Sequence, residues 1–275
     1  MAATITAADV NKLRQQTGAG MMDCRKALVE SDGDFEKAVD YLRKKGQKVA
    51  ALRSDRETKE GVIIAKTAAD GQTGVVVALG CETDFVAKNE DFIKFAQSLV
   101  DLALTSGVNT VEELGAASLD GATVNDKVND QVAKIGEKIT LARFEKITAA
   151  SVTAYIHGNY RMGVLVGFNE AVAEEVGKDV AMQIAAMNPI AVDAAGVSED
   201  LIAREKAIAL EQIAAEGKTG DMAEKIAMGK VNKFFKDNTL LQQAFVKDNN
   251  KTVADYLKSV SAGLKVTGFS RIALG

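Results

Sequence analysis

Tryptophan is absent, histidine and proline occur once each, and aromatic residues make up only 5% of the chain. A single histidine, His157, cannot build a histidine-rich metal site. Any Ser-His-Asp or Cys-His relay would have to use it, and no nucleophile-elbow motif accompanies it. The two cysteines, Cys24 and Cys81, stand far apart and form no ligand spacing, so they read as buried, reduced thiols and not as a disulfide. No apolar run approaches the roughly 20 residues that span a bilayer. The N-terminus carries no basic stretch followed by an apolar one, so no secretory leader is expected. An excess of basic charge is missing too: 34 Lys and Arg against 38 Asp and Glu give a net charge of −4. Nucleic-acid binding normally needs a concentrated basic face, so nucleic acid is not expected as the main partner. These absences imply a cytoplasmic protein without membrane, cofactor or resident metal, and without an evident site for covalent chemistry.

Two short motifs imitate nucleotide-binding loops and fail on context. Gly217-Lys218-Thr219 has Gln212 where a phosphate-binding loop needs its first glycine. Gly18-Ala19-Gly20 follows a helix where a dinucleotide fingerprint needs a strand, and its last glycine is missing.

What the 275 residues do contain is ordered punctuation. Thr6 and Asp9 form a capping box ahead of Val10, Leu13 and Arg14. The helix they start stops at Gly18-Ala19-Gly20. A second helix carries Met21, Met22, Cys24, Ala27 and Leu28, and a third carries Phe35 to Leu42 with Gly46 as its expected C-cap. Residues 1–46 thus read as a three-helix module, and the polar, aperiodic residues 47–59 as a solvated linker. Two Val-rich runs, Gly61–Thr67 and Gly74–Gly80, flank Asp70-Gly71, a hairpin signal. A helix over Phe92–Leu104 follows, then a helix and a third strand, Ile139–Ile147. A second copy runs from Ala150–Ile156 through Met162–Phe168, a helix near Val172–Met187 and a last strand over Leu264–Leu274. Its middle is interrupted by an antiparallel helical hairpin that reverses at Gly217–Gly220. The expected class is α+β: two related subdomains with small antiparallel sheets, 60–148 and 149–196 plus 238–275, with the hairpin at 197–237.

Cys81-Glu82-Thr83-Asp84-Phe85-Val86-Ala87-Lys88 lies where a strand gives way to a helix, a junction at which scaffolds present functional groups. Composition alone makes Phe85 a core residue or helix-start staple, Thr83 an N-cap and Asp84 a partner of the helix dipole.

That motif, with Thr17-Gly18-Ala19-Gly20-Met21-Met22-Asp23-Cys24, Tyr155-Ile156-His157-Gly158, Gly163-Val164-Leu165-Val166 and Val266-Thr267-Gly268-Phe269, resembles the elongation factor Ts family along nearly the whole chain. The resemblance implies a ubiquitin-associated-like N-terminal module and a coiled-coil arm. It implies a guanine nucleotide exchange factor for the GTPase elongation factor Tu, with no nucleotide bound directly. Thr83, Asp84, Phe85 and Val86 would displace Mg²⁺ from the partner. Leu13, Arg14, Met21, Met22 and His157 would belong to the remaining partner surface. The arm could meet the GTPase, a tRNA or a second copy in a homodimer. The C-terminal helical module of some members is not expected after Gly275.

Overall fold

A computed structural model describes residues 4–274; the first three residues of the expected helical module and Gly275 lie outside them. The chain opens with α1 (Ala7–Thr17), α2 (Met21–Glu30) and α3 (Phe35–Leu52). Thr6 and Asp9 close the capping box, and Gly18 ends α1 in the left-handed region that a side chain would disfavour. Leu13, Cys24, Ala27, Leu28, Ala38 and Leu42 meet in a small core of their own.

The next segment corrects the sequence reading. α3 does not stop at Gly46 but runs on to Leu52. Gly46 is there for close packing: a Cβ would lie 2.9 Å from the Ala133 side chain and 3.1 Å from the Asn129 carbonyl. The helix therefore lies against the following α+β body. Residues 47–59 are not a solvated tether, because Arg53 and Arg56 are ion-paired to Glu82.

The body comprises β1 (Glu60–Thr67), β2 (Thr73–Cys81), α4 (Asp84–Ala87), α5 (Glu90–Ser106), α6 (Val111–Ala116), β3 (Ser118–Leu119), β4 (Ala122–Thr123), α7 (Val124–Ile135) and β5 (Thr140–Thr148). After it come β6 (Ser151–His157), β7 (Met162–Phe168), α8 (Glu174–Met187), α9 (Glu199–Ala215) and α10 (Gly220–Asn238). Last are β8 (Ala244–Phe245), β9 (Asp248–Thr252), α11 (Val253–Val260) and β10 (Val266–Ala273). Two antiparallel sheets result, ordered β1-β2-β5 and β10-β7-β6. The halves repeat in detail. In each, a two-residue pairing (β3 with β4, β8 with β9) precedes a Thr-Asp capping box, at Thr123 and Thr252, that starts the helix before the third strand.

The two sheets stack face to face over Ile63, Val76, Ala78, Leu165 and Ile272. Their outer faces carry α5 and α7 on one side and α8 and α11 on the other. The central strands β2 and β7 are covered on both faces, which is why they read as unbroken Val-rich runs and not as alternation. Gly163 permits the close approach: a Cβ there would meet Ile63 Cγ2 at 2.7 Å and Val76 Cγ2 at 2.8 Å.

Asn188, in the left-handed region, and Pro189 after it end α8. The chain then leaves the body as α9 and returns as α10. Ala209, Ile213, Ala223 and Ala227 are buried between these two helices in a cluster that includes no residue of the sheets. A backbone bond from Ile190 N–H to the Asn238 carbonyl, 2.9 Å, and a bridge between Ala191 and Thr239 fasten the base of the arm.

Candidate functional site

Where β2 ends, the backbone must turn from a buried strand into a helix, and each group in the turn is held. Cys81 is buried, and its thiol donates to the Thr83 carbonyl at 3.2 Å. Burial, helped by the nearby Glu137 carboxylate, pushes this thiol up to about 12, so it is structural and unreactive. Glu137, from the turn between α7 and β5, accepts from the Glu82 N–H at 3.1 Å, the Thr83 N–H at 3.0 Å and the Thr83 hydroxyl at 2.6 Å. Glu82 answers in the other direction. Its carboxylate accepts from the Lys138 N–H at 2.6 Å, Arg53 at 2.9 Å and Arg56 at 2.7 Å. The Lys138 ammonium donates to the carbonyls of Ser54 and Arg56 at 2.5 and 2.8 Å. Desolvation would raise the Glu82 carboxyl, but the Lys138 amide and the Arg56 and Arg53 guanidiniums outweigh it and hold the group at about 2. Charge-assisted bonds of this kind are stronger than neutral ones.

Thr83 caps α4 in extended backbone, its hydroxyl also accepting from the Val86 N–H at 3.5 Å. Val86 and Ala87 turn inward and pack on the core. The single turn of helix therefore has no choice but to aim Phe85 outward. At 83% exposure it is the most exposed large apolar side chain among the described residues. This corrects the composition-based expectation of a core or staple residue. Burying such a ring would have contributed about 1.5–3 kcal/mol, so the fold forgoes stability here. Beside it Asp84 is half exposed and accepts from the Lys88 ammonium at 2.6 Å, which holds its carboxyl below the usual carboxylate range.

His157 is exposed at the end of β6, with Nδ1 2.9 Å from the Tyr155 hydroxyl. The turn after it returns to β1. The Tyr160 carbonyl accepts from the Ile63 N–H at 2.8 Å, and Arg161 donates to Glu60 at 2.5 Å. Glu60 in turn pairs with Cys81. The turn that follows His157 and the turn that carries Thr83, Asp84, Phe85 and Val86 thus share one end of the stacked sheets.

The remaining sequence candidates lie on the helical module. Met21 and Met22 are exposed and, with Ile5, Val10 and Arg25, line a shallow groove between α1 and α2. Arg14 is exposed in the last turn of α1. Leu13 is a correction: it is wholly buried in the module's core, because positions 10 and 13 of α1 face α2 and α3. It supports the groove without offering surface. Sequence reasoning missed Glu137, Lys138, Arg53 and Arg56 as parts of the site. Their partners lie 26 to 84 residues away, beyond any local pattern. Among the described residues no three His, Cys, Asp or Glu side chains converge on a cation site, and no helix is long and apolar enough to cross a membrane.

The profile of the family described as elongation factor TS matches residues 82–275, beginning at Glu82. The elongation factor Ts of Amoebophilus asiaticus is 53% identical over 274 residues, covering 98% of this chain and 99% of that protein. That of Flavobacterium psychrophilum is 54% identical over 275 residues, covering 99% and 100%. The chain belongs to the elongation factor Ts family. More distant members stay collinear: the elongation factor Ts of Clostridium perfringens is 44% identical over 282 residues, covering 98% of this chain and 93% of that protein. Elongation factor Ts is a nucleotide exchange factor of translation and performs no covalent chemistry. Its functional groups are accordingly those that touch another protein.

Proposed function

We propose that this chain works in the cytoplasm by binding elongation factor Tu in its GDP state and releasing the GDP, so that GTP can take its place. The turn at Thr83, Asp84, Phe85 and Val86 enters beside the nucleotide site and displaces Mg²⁺. The three-helix module, through Arg14, Met21 and Met22, and the second subdomain, near His157, grip the GTPase. The α9–α10 arm extends as a coiled coil.

The observation that carries this reading is a bare aromatic ring on a turn held by hydrogen bonds at every neighbouring residue. A bound guanine nucleotide depends on amides around its phosphates and on an octahedral Mg²⁺ that tolerates little distortion. Phe85 stands on a turn whose backbone is held, so its ring is presented to part packed side chains that carry the metal's water shell. Asp84, ionised at neutral pH, competes for that shell or repels the phosphates. Each tenfold weakening of GDP needs about 1.4 kcal/mol of differential binding. A thousandfold effect therefore needs about 4 kcal/mol, more than one exposed contact supplies, and the grip surfaces must stabilise the distorted GTPase. Linkage makes the coupling reciprocal: rebinding of nucleotide weakens the exchange factor equally, and it departs.

The test is stopped-flow release of a fluorescent GDP from elongation factor Tu. Phe85→Ala and Asp84→Ala are expected to fold normally and to slow release by about tenfold or more, equivalent to about 1.4 kcal/mol. Unchanged release by well-folded variants defeats the assignment.

A further inference from the structure

We propose that Glu137 and Glu82 are positioning residues for nucleotide exchange: a reciprocal carboxylate lock that fixes the Phe85 turn before the GTPase arrives and joins it to the helical module. This deepens the reading above and rests on it.

The two turns are cross-linked in both directions. The Glu137 side chain takes the amides of Glu82 and Thr83 and the Thr83 hydroxyl, while the Glu82 side chain takes the amide of Lys138. Each acid therefore satisfies backbone donors on the other's turn. The held residues, Glu82 and Thr83, immediately precede Asp84 and Phe85. The same Glu82 carboxylate receives Arg53 and Arg56, which lie just beyond the end of α3. Since α3 also carries the packing residues Ala38 and Leu42 of the three-helix core, the lock is a direct mechanical path from the Met21–Met22 surface to the exposed ring.

A wedge that is ordered only on contact spends docking energy on its own ordering, whereas a pre-fixed one spends it on the partner. Loosening the lock should therefore lower the rate of GDP release from the formed complex and leave the affinity of the grip surfaces alone. Neither acid touches the partner in this account.

The full chain is titrated against elongation factor Tu loaded with fluorescent GDP, and two quantities are read: the maximal release rate and the half-saturating concentration. Glu137→Ala should lower the maximal rate about tenfold, or about 1.4 kcal/mol, with half-saturation moved less than about twofold. Glu137→Gln keeps one acceptor oxygen and should recover much of the loss. In an Asp84→Ala/Phe85→Ala background, Glu137→Ala should subtract nothing further, since the groups it positions are already gone and coupled groups are non-additive. Should Glu137→Ala fold poorly, Glu82→Gln, which weakens the arginine contacts, provides the same readout. The lock is overturned if Phe85→Ala slows release but the Glu137 and Glu82 variants do not. It is equally overturned if they raise half-saturation alone, or if Glu137→Ala is additive with the Asp84→Ala/Phe85→Ala pair. A Phe85→Ala variant that releases GDP normally removes the wedge reading itself, and the lock with it.

Discussion

At the scale of single residues, exposure separates side chains that the sequence ranks alike. Leu13 and Met22 both sit in a helical module and both resemble partner-binding residues of the family, yet one is wholly buried and the other 73% exposed. Leu13→Ala opens a cavity in a small core and should cost about 2–5 kcal/mol of stability, seen as loss of helix signal in a denaturant melt. Met22→Ala should leave that melt within about 0.5 kcal/mol and weaken binding of elongation factor Tu instead. The opposite pattern would return Leu13 to the surface. Phe85 shows the limit of composition most clearly. Nothing in its local sequence says that Val86 and Ala87, its two successors, take the inward positions and leave the ring outside. Only the resemblance of the Thr83–Lys88 motif to a known family pointed there.

Among elements, the legible features are those written in contiguous residues. The Thr6–Asp9 capping box, the β1–β2 hairpin, the stop at Pro189 and the repeated pattern of the two halves are all local, and all are present in the structure. The misread element is α3. A glycine after an amphipathic run signals a helix end only when nothing is packed against it, and α7 packs against Gly46. The short pairings β3–β4 and β8–β9 are local but join only two residue pairs each, too few for an alternation pattern to show; the stacking of the sheets is not visible because it is set by contacts between distant segments. The lock between the β2–α4 and α7–β5 turns has the same origin. It also has a pH signature. The folded Glu82 carboxyl is held at about 2, below its ordinary 4.5. Its stabilising contribution is therefore complete above about 4.5 and is lost as pH falls through about 2. Denaturant melts of the parent chain and of Glu82→Gln should differ most at neutral pH and converge at the acid end. A gap that persists undiminished below the folded value would show that the charge is not what holds the turn.

For the molecule as a whole, the arrangement is one of parts on a common frame: a three-helix module joined to the first sheet through Glu82, a second sheet stacked on it, and an arm with its own small core. Because the arm's base is fastened by the Ile190–Asn238 and Ala191–Thr239 backbone pairings, residues 198–236, which leave out Val192 and Asp237 with their contacts to the body, should be replaceable by a short Gly-Ser connection with the sheets undisturbed. The shortened chain is expected to keep a cooperative melt and the tertiary spectrum of the body; loss of cooperativity would make the arm part of the body's core. In the proposed mechanism, exchange depends on how this frame meets the metal and phosphates of the GTPase. The decisive measurement is GDP release from elongation factor Tu with saturating Mg²⁺ and again with Mg²⁺ chelated, for the parent chain, Asp84→Ala and Phe85→Ala. If the turn acts by displacing the metal, both variants are slow with Mg²⁺ present, and the differences from the parent shrink strongly once the metal is gone. Equal deficits under the two conditions would contradict the account.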